Sequence, residues 1–194
     1  MAVGVISILI AIIIPAIGGA QNSARRAKTR VQFSQWSAAI EQFRQEYGYY
    51  PAFHAAGIGQ FANGLINEGP KSVRFIQTLS GRELDGTALD DSDPGVLAGN
   101  TKRIAFCSFG TDDIAGDRLR DAFGNPNIVV MMDRNLDGMI DVSTSTADLT
   151  EQPPPAIASQ DGRNVAVTFP QNDRIRAGVA FYSAGDGQTP VTSW

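Results

Sequence analysis

Residues 31–51 read VQFSQWSAAIEQFRQEYGYYP, and the reading of this stretch decides the fold. Phe33, Trp36, Ile40, Phe43 and Tyr47 follow one another at intervals of three and four, which lines five large apolar side chains along one face of an α-helix. Gln32, Gln35, Gln42, Arg44, Gln45 and Glu46 fall mostly off that face. Gly48 supplies the stop signal, and Pro51 follows at once. A single apolar stripe needs a globular partner on one side only. These five side chains are therefore expected to pack helix against sheet, not to hold a cofactor.

Upstream the pattern changes. Met1–Ile17 reads MAVGVISILIAIIIPAI, with Ser7 the one polar side chain before Gln21 and no charge before Arg25. An apolar run of about 20 residues can cross a bilayer as a helix. Val5, Ile6, Leu9, Ile10, Ile13, Ile14 and Pro15 make up its bulk. A buried core helix is the alternative, yet such helices rarely stay apolar on every side for four turns. A cleavable secretory signal would need a basic start and a small-residue cleavage site, and neither is present. Pro15 predicts a kink, and Gly18 and Gly19 weaken the helix further. Joined to the amphipathic half, the helix would be about 70 Å long at 1.5 Å per residue.

Downstream, turn signals dominate. Gly57, Gly59, Gly64, Gly69-Pro70 and Asp93-Pro94-Gly95 punctuate short apolar pieces up to about residue 120. Val73, Ile76 and Leu79 suggest a short helix, Ile104–Phe109 a short strand that buries Cys107 or its neighbours, and Asp90–Asp93 a solvated acidic turn. Beyond residue 120, Asn127–Met132, Asn164–Phe169 and Gly178–Tyr182 read as strands. The three prolines of Glu151–Pro155 require an exposed connection. Strands in succession without helices favour an antiparallel sheet. The expected class is α+β: a long helix packed on a C-terminal antiparallel sheet, with a loop-rich link between them. The chain divides into 1–22 (apolar helix), 23–47 (amphipathic helix), 48–120 (a loop-rich αβ region) and 121–194 (antiparallel sheet with the calcium-type loop).

Charge and rare residues restrict function. The chain has 16 basic and 20 acidic side chains, which does not suggest a nucleic-acid partner. The balance is uneven: Arg25, Arg26, Lys28, Arg30 and Arg44 outnumber Glu41 and Glu46 in the first fifty residues, and the remainder is acidic. One cysteine, Cys107, excludes an internal disulfide or a multi-cysteine zinc site, and one histidine, His54, excludes any mechanism that needs two. No catalytic constellation is visible, and the chain is not expected to be an enzyme. Asp133, Asn135, Asp137 and Asp141 place oxygen side chains at positions 1, 3, 5 and 9 of a loop with Gly138 at 6. This is the spacing of an EF-hand-type calcium loop, to which the Met139 carbonyl could add an oxygen. Position 12 is Thr144 in place of an acid, with Asp148 nearby. An aspartate-rich hairpin turn is the plainer reading.

The apolar helix with its proline, the amphipathic continuation and the ending Gly48-Tyr49-Tyr50-Pro51 resemble type IV pilins, and most closely the pseudopilins of type II secretion systems. Asp121-Ala122-Phe123-Gly124-Asn125-Pro126 resembles the turn before the first strand of the major pseudopilins. Phe181-Tyr182-Ser183-Ala184-Gly185-Asp186-Gly187 resembles their Tyr-Ser-x-Gly-x-Asp-Gly segment, and Val191–Trp194 their tail. The segments between these motifs are longer here than in a compact major pseudopilin. The resemblance implies a non-catalytic, single-pass inner-membrane subunit with its domain in the periplasm. It would assemble through residues 1–22 into a helical filament with its own copies, other pseudopilins and inner-membrane assembly components. It also implies a calcium site at Ser183 and Asp186. The family's basic leader, and the Gly-Phe-Thr-Leu-x-Glu-Leu stretch that is cleaved and N-methylated, would precede Met1. Arg25, Arg26, Lys28 and Arg30, taken alone, favour the opposite topology, because positive charge tends to stay cytoplasmic. A type IV pilus subunit, and a membrane-anchored calcium-dependent binding module that does not assemble, are the alternatives.

Overall fold

The computed structural model describes residues 2–53, 64–66, 69–133, 135–142, 156–170 and 172–194, with the backbone path alone for 2–17. The first helix, α1 (Ala2–Tyr47), runs for 46 residues. It stops where its sequence requires. Gly48 takes a φ of +79°, and its N–H donates to the Arg44 carbonyl at 2.8 Å. That left-handed cap strains any residue with a Cβ. Among the described residues no helix is long and apolar enough to cross a membrane. The side chains of Val5, Ile6, Leu9, Ile10, Ile13, Ile14 and Pro15 lie outside the described residues, and from Gly18 to Arg25 the helix is exposed.

After α1 come β1 (Gly64–Leu65), α2 (Gly69–Ser80), α3 (Pro94–Leu97), β2 (Ile114–Ala115) and β3 (Arg118–Leu119). The second half contributes β4 (Ile128–Met132), β5 (Ile140–Asp141), β6 (Ile157–Ala158), β7 (Asn164–Val165), β8 (Arg174–Ile175), β9 (Val179–Ser183) and β10 (Val191–Thr192). The fold is α+β, and the strand pairs are antiparallel. One small sheet has the order β1-β4-β9-β10, while β2–β3, β5–β8 and β6–β7 form separate two-stranded ladders.

The central pair β4–β9 is buried on both faces. Successive side chains alternate across a strand, so Ile128, Val130, Met132 and Phe181 face α1 and α2, while Val129, Met131, Ala180 and Tyr182 face away. The second face is covered by Ile140, Val142, Ile157, Val165 and Ile175 from the small ladders. Burial on both sides explains why Ile128–Met132 is an unbroken apolar run and not an alternating one.

The stripe of α1 divides between two partners. Phe33 stacks on Phe181 with ring centroids 5.4 Å apart, and Trp36 meets Phe181 and Phe75 edge-on, each at 5.8 Å. Ile40 joins the same core. Phe43 and Tyr47 instead pack on the chain that follows the helix: Phe43 lies 5.5 Å from Phe106, and Tyr47 5.9 Å from Tyr49. The Tyr47 hydroxyl donates to Asn100 Oδ1 at 2.8 Å.

Two expectations are corrected. Ile104–Phe109 is not a strand: the N–H groups of Phe106 and Cys107 both donate to the Leu79 carbonyl, at 2.8 and 2.9 Å. The segment satisfies an open carbonyl at the end of α2, a need that outweighs strand pairing. Of Asn164–Phe169 only Asn164–Val165 pairs, with Val167 and Phe169 half-buried against the back of the sheet. The link 48–120, expected to be a loop-rich αβ region, carries the 12-residue α2, the short α3 and the edge strand β1. Pro70 in the first turn of α2 needs no N–H partner there, so Gly69-Pro70 starts a helix. The connection expected at Glu151–Pro155 lies outside the described residues.

Candidate functional site

Where α1 enters the domain, the two resemblance motifs meet each other and the helix. Asp121 is buried; its Oδ1 accepts from the N–H groups of Phe123 and Asn125, each at 2.9 Å, which closes the Asp121–Asn125 turn. Its Oδ2 accepts from the Ser183 hydroxyl at 2.8 Å. One carboxylate thus joins the turn before β4 to the end of β9. Burial pushes the Asp121 carboxyl above its ordinary pKa, against the donors Asn125, Ser183, Phe123 and Gly185.

The helix is tied to both motifs. Thr29 is buried, and its Oγ1 accepts from the Ala122 N–H at 3.2 Å. Arg26 donates to Asp186 at 2.6 Å. Burial pushes the Asp186 carboxyl up, and the N–H groups of Thr189 and Gln188 together with Arg26 outweigh it, so its pKa falls below the ordinary value. Lys28 reaches Asp112 at 3.3 Å, and Gln32 donates to Asp113. Both motifs are legible in the sequence but their junction is not, because each one alone is only a good turn. The signal present in the sequence is an aspartate three residues ahead of Gly124-Asn125-Pro126. Nothing in the sequence marked the Arg26–Asp186 pair.

The calcium-type loop closes on itself. Asp133 accepts from the N–H groups of Leu136 and Gly138, each at 2.8 Å, Asp137 from Met139 at 2.8 Å, and Asn135 from Asp137 at 3.2 Å. Leu136 and Gly138 have φ of +61° and +85°. Asp141 sits on β5, 3.6 Å from Arg174. Among the described residues no three His, Cys, Asp or Glu side chains are grouped so as to hold a metal. Thr144 and Asp148 lie outside those residues. Ser183 and Asp186 do not converge on a common point: the first points at Asp121 and the second at Arg26.

Cys107 is half-buried, and burial, followed by the nearby Asp113 charge, pushes its thiol above the ordinary pKa, the opposite of an activated nucleophile. His54 lies outside the described residues. Near the middle of α1, the described residues form a junction of hydrogen bonds and ion pairs between the helix, the Asp121 turn and the end of β9. Comparison with protein-family models, with curated proteins and with solved structures gives no match.

Proposed function

We propose that the chain is a structural, non-catalytic subunit of the pilin type, nearest in its motifs to the major pseudopilins, that assembles into a filament through α1. The observation carrying this reading is the division along the helix. From Thr29 to Phe43 one face is buried in the domain, while residues 18–25 are exposed and continue into a start without charge. A helix satisfies its own backbone in lipid and later among neighbouring helices, so the same element can serve storage in the inner membrane and assembly. The contact of the Asp121 and Ser183 motifs with each other and with α1 supports the resemblance, since motifs matched by chance have no reason to meet. Periplasmic placement of the domain and service in type II secretion rest on the resemblance alone. A type IV pilus subunit is the sibling reading.

Single cysteines at Ile6 and Ile13, in a Cys107→Ser background, test assembly. A ladder of helix-to-helix crosslinks is expected in cells, and a variant lacking residues 1–20 should be a soluble monomer. A full chain that never crosslinks through α1 overturns the reading in favour of an anchored binding module. The in-frame sequence upstream of Met1 is a second check: a basic leader followed by Gly-Phe-Thr-Leu-x-Glu-Leu supports the family, and an immediate stop codon without another start counts against it.

Calcium at Asp133–Asp141 is the narrower part of the proposal. The chain already curls around Asp133, and Asn135 and Asp137 remain exposed on the same loop. Position 12 of the loop is Thr144 in place of an acid, so only modest affinity is expected. Saturating calcium should raise the melting temperature by linkage. No rise beyond a magnesium control, or an equal rise in Asp137→Asn, discards the site.

A further inference from the structure

We infer that the cleft between the middle of α1 and the Asp121–Gly124 turn holds the phosphate of an anionic membrane lipid while the subunit sits in the bilayer. This rests on the membrane half of the proposed function and adds to it the kind of lipid the domain meets. The cleft, about 290 Å³, is lined by Arg25, Lys28 and Arg120 with Asp112, Phe123 and Gly124. Its cations are available. Among the described residues Arg25 is exposed and has no ion pair or hydrogen bond. Arg120 uses Nε on the Asp112 carbonyl at 2.8 Å, and among the described residues no partner occupies its two terminal nitrogens. Those nitrogens suit the paired oxygens of a phosphate. Lys28 is held only by an exposed pair with Asp112, whose side chain is 79% accessible; pairs of this kind contribute little and exchange readily.

Three cations face two carboxylates in this lining, Asp112 and Asp121, so the cleft keeps a net positive charge. Asp121, also in the cleft wall, is buried with both oxygens occupied by donors from Phe123, Asn125 and Ser183. Arg26 is already committed to Asp186 on the neighbouring side of the helix. Height along α1 favours lipid over a soluble anion. Arg25 and Lys28 lie five and eight residues beyond Ala20, the last apolar residue of the run, about 8 and 12 Å at 1.5 Å per residue. The headgroup layer begins where the hydrocarbon ends and is roughly 5–7 Å deep. The Arg25 backbone lies just above it, and because helical side chains lean toward the N-terminus its guanidinium comes down to phosphate level, with Lys28 about one turn higher.

The test uses the full chain in vesicles of phosphatidylcholine alone or mixed with phosphatidylglycerol carrying a headgroup photocrosslinker. The expected result is labelling at the Arg25–Arg120 cleft and a higher melting temperature for the domain in the anionic vesicles. Labelling should fall about fivefold for each charge removed in Arg25→Gln and Arg120→Gln. It should be unchanged in Arg176→Gln, an exposed arginine elsewhere. Equal labelling and melting in both vesicle types, or an equal loss in Arg176→Gln, overturns the inference. So does a melting rise of the same size when inorganic phosphate is added to neutral vesicles, which would assign the cleft to soluble anions. A chain that floats with neither vesicle type removes the membrane reading itself. One that floats with both and shows no lipid preference removes only this inference.

Discussion

Asp121 and Asp133 head two loops that use the same device, a buried carboxylate accepting from backbone N–H groups of its own turn, yet the two loops do different work. Asp133 gives both oxygens to its own loop, to Leu136 and Gly138. Asp121 gives one oxygen to its turn and the other to Ser183, more than sixty residues away. The first aspartate shapes a loop. The second joins the turn before β4, the end of β9 and, through Ala122 and Thr29, the long helix. What separates a turn from a joint is the partner of the second oxygen.

The largest expected effect tests that difference directly. Asp121→Ala strands the Phe123 and Asn125 N–H groups and the Ser183 hydroxyl in a buried setting, and should cost about 3–5 kcal/mol in chemical denaturation. Asp133→Ala frees N–H groups of two exposed residues, Leu136 and Gly138, which water can reach, so about 1–2 kcal/mol is expected. Equal losses would break the comparison. Ser183→Ala removes only the joint and keeps the turn; about 1 kcal/mol is expected, together with weaker protection of α1 around Thr29 in hydrogen exchange.

The pH dependence sharpens it. The folded pKa of Asp121 lies above the unfolded value of 3.8. Its stability contribution is therefore greatest below 3.8 and declines as pH rises through the interval up to the folded value. Asp121→Asn should flatten that decline. Asp186, with its folded pKa lowered, has the opposite sign: its contribution is present above 3.8 and is lost as pH falls through the folded value. Arg26→Gln should reduce that loss by about 0.5 kcal/mol, the smallest effect, because the pair is partly exposed. Stability measured by urea titration across acidic pH separates the two slopes.

Much of this architecture was legible in local pattern. The α1 stripe, the Gly48 stop, a helix over Val73–Leu79 and the runs that became β4 and β9 each carry a period or a cap that short-range physics imposes. The candidate sites were legible only as turns. Asp121 and Ser183 stood out in separate motifs, but their bond depends on the β4–β9 register, which brings Ile128 opposite Ser183. The strand expected at Ile104–Phe109 failed for a related reason: its apolar alternation was real, but its N–H groups were needed by the Leu79 carbonyl.

The amino-acid sequence alone determined an uncharged start, an amphipathic helix with a defined end, and an α+β class, because helix period, capping and strand patterning act within a few residues. Tertiary structure alone decided that Phe33 and Trp36 meet the sheet while Phe43 and Tyr47 meet the link. It also decided that the small ladders cover the back of the sheet, and that the Asp121 turn, the end of β9 and α1 are joined by separate contacts through Ser183, Thr29 and the Arg26–Asp186 pair. Those contacts join residues up to 160 positions apart. They exist because two buried faces of one sheet must each be covered, and no local pattern states which segment will do so.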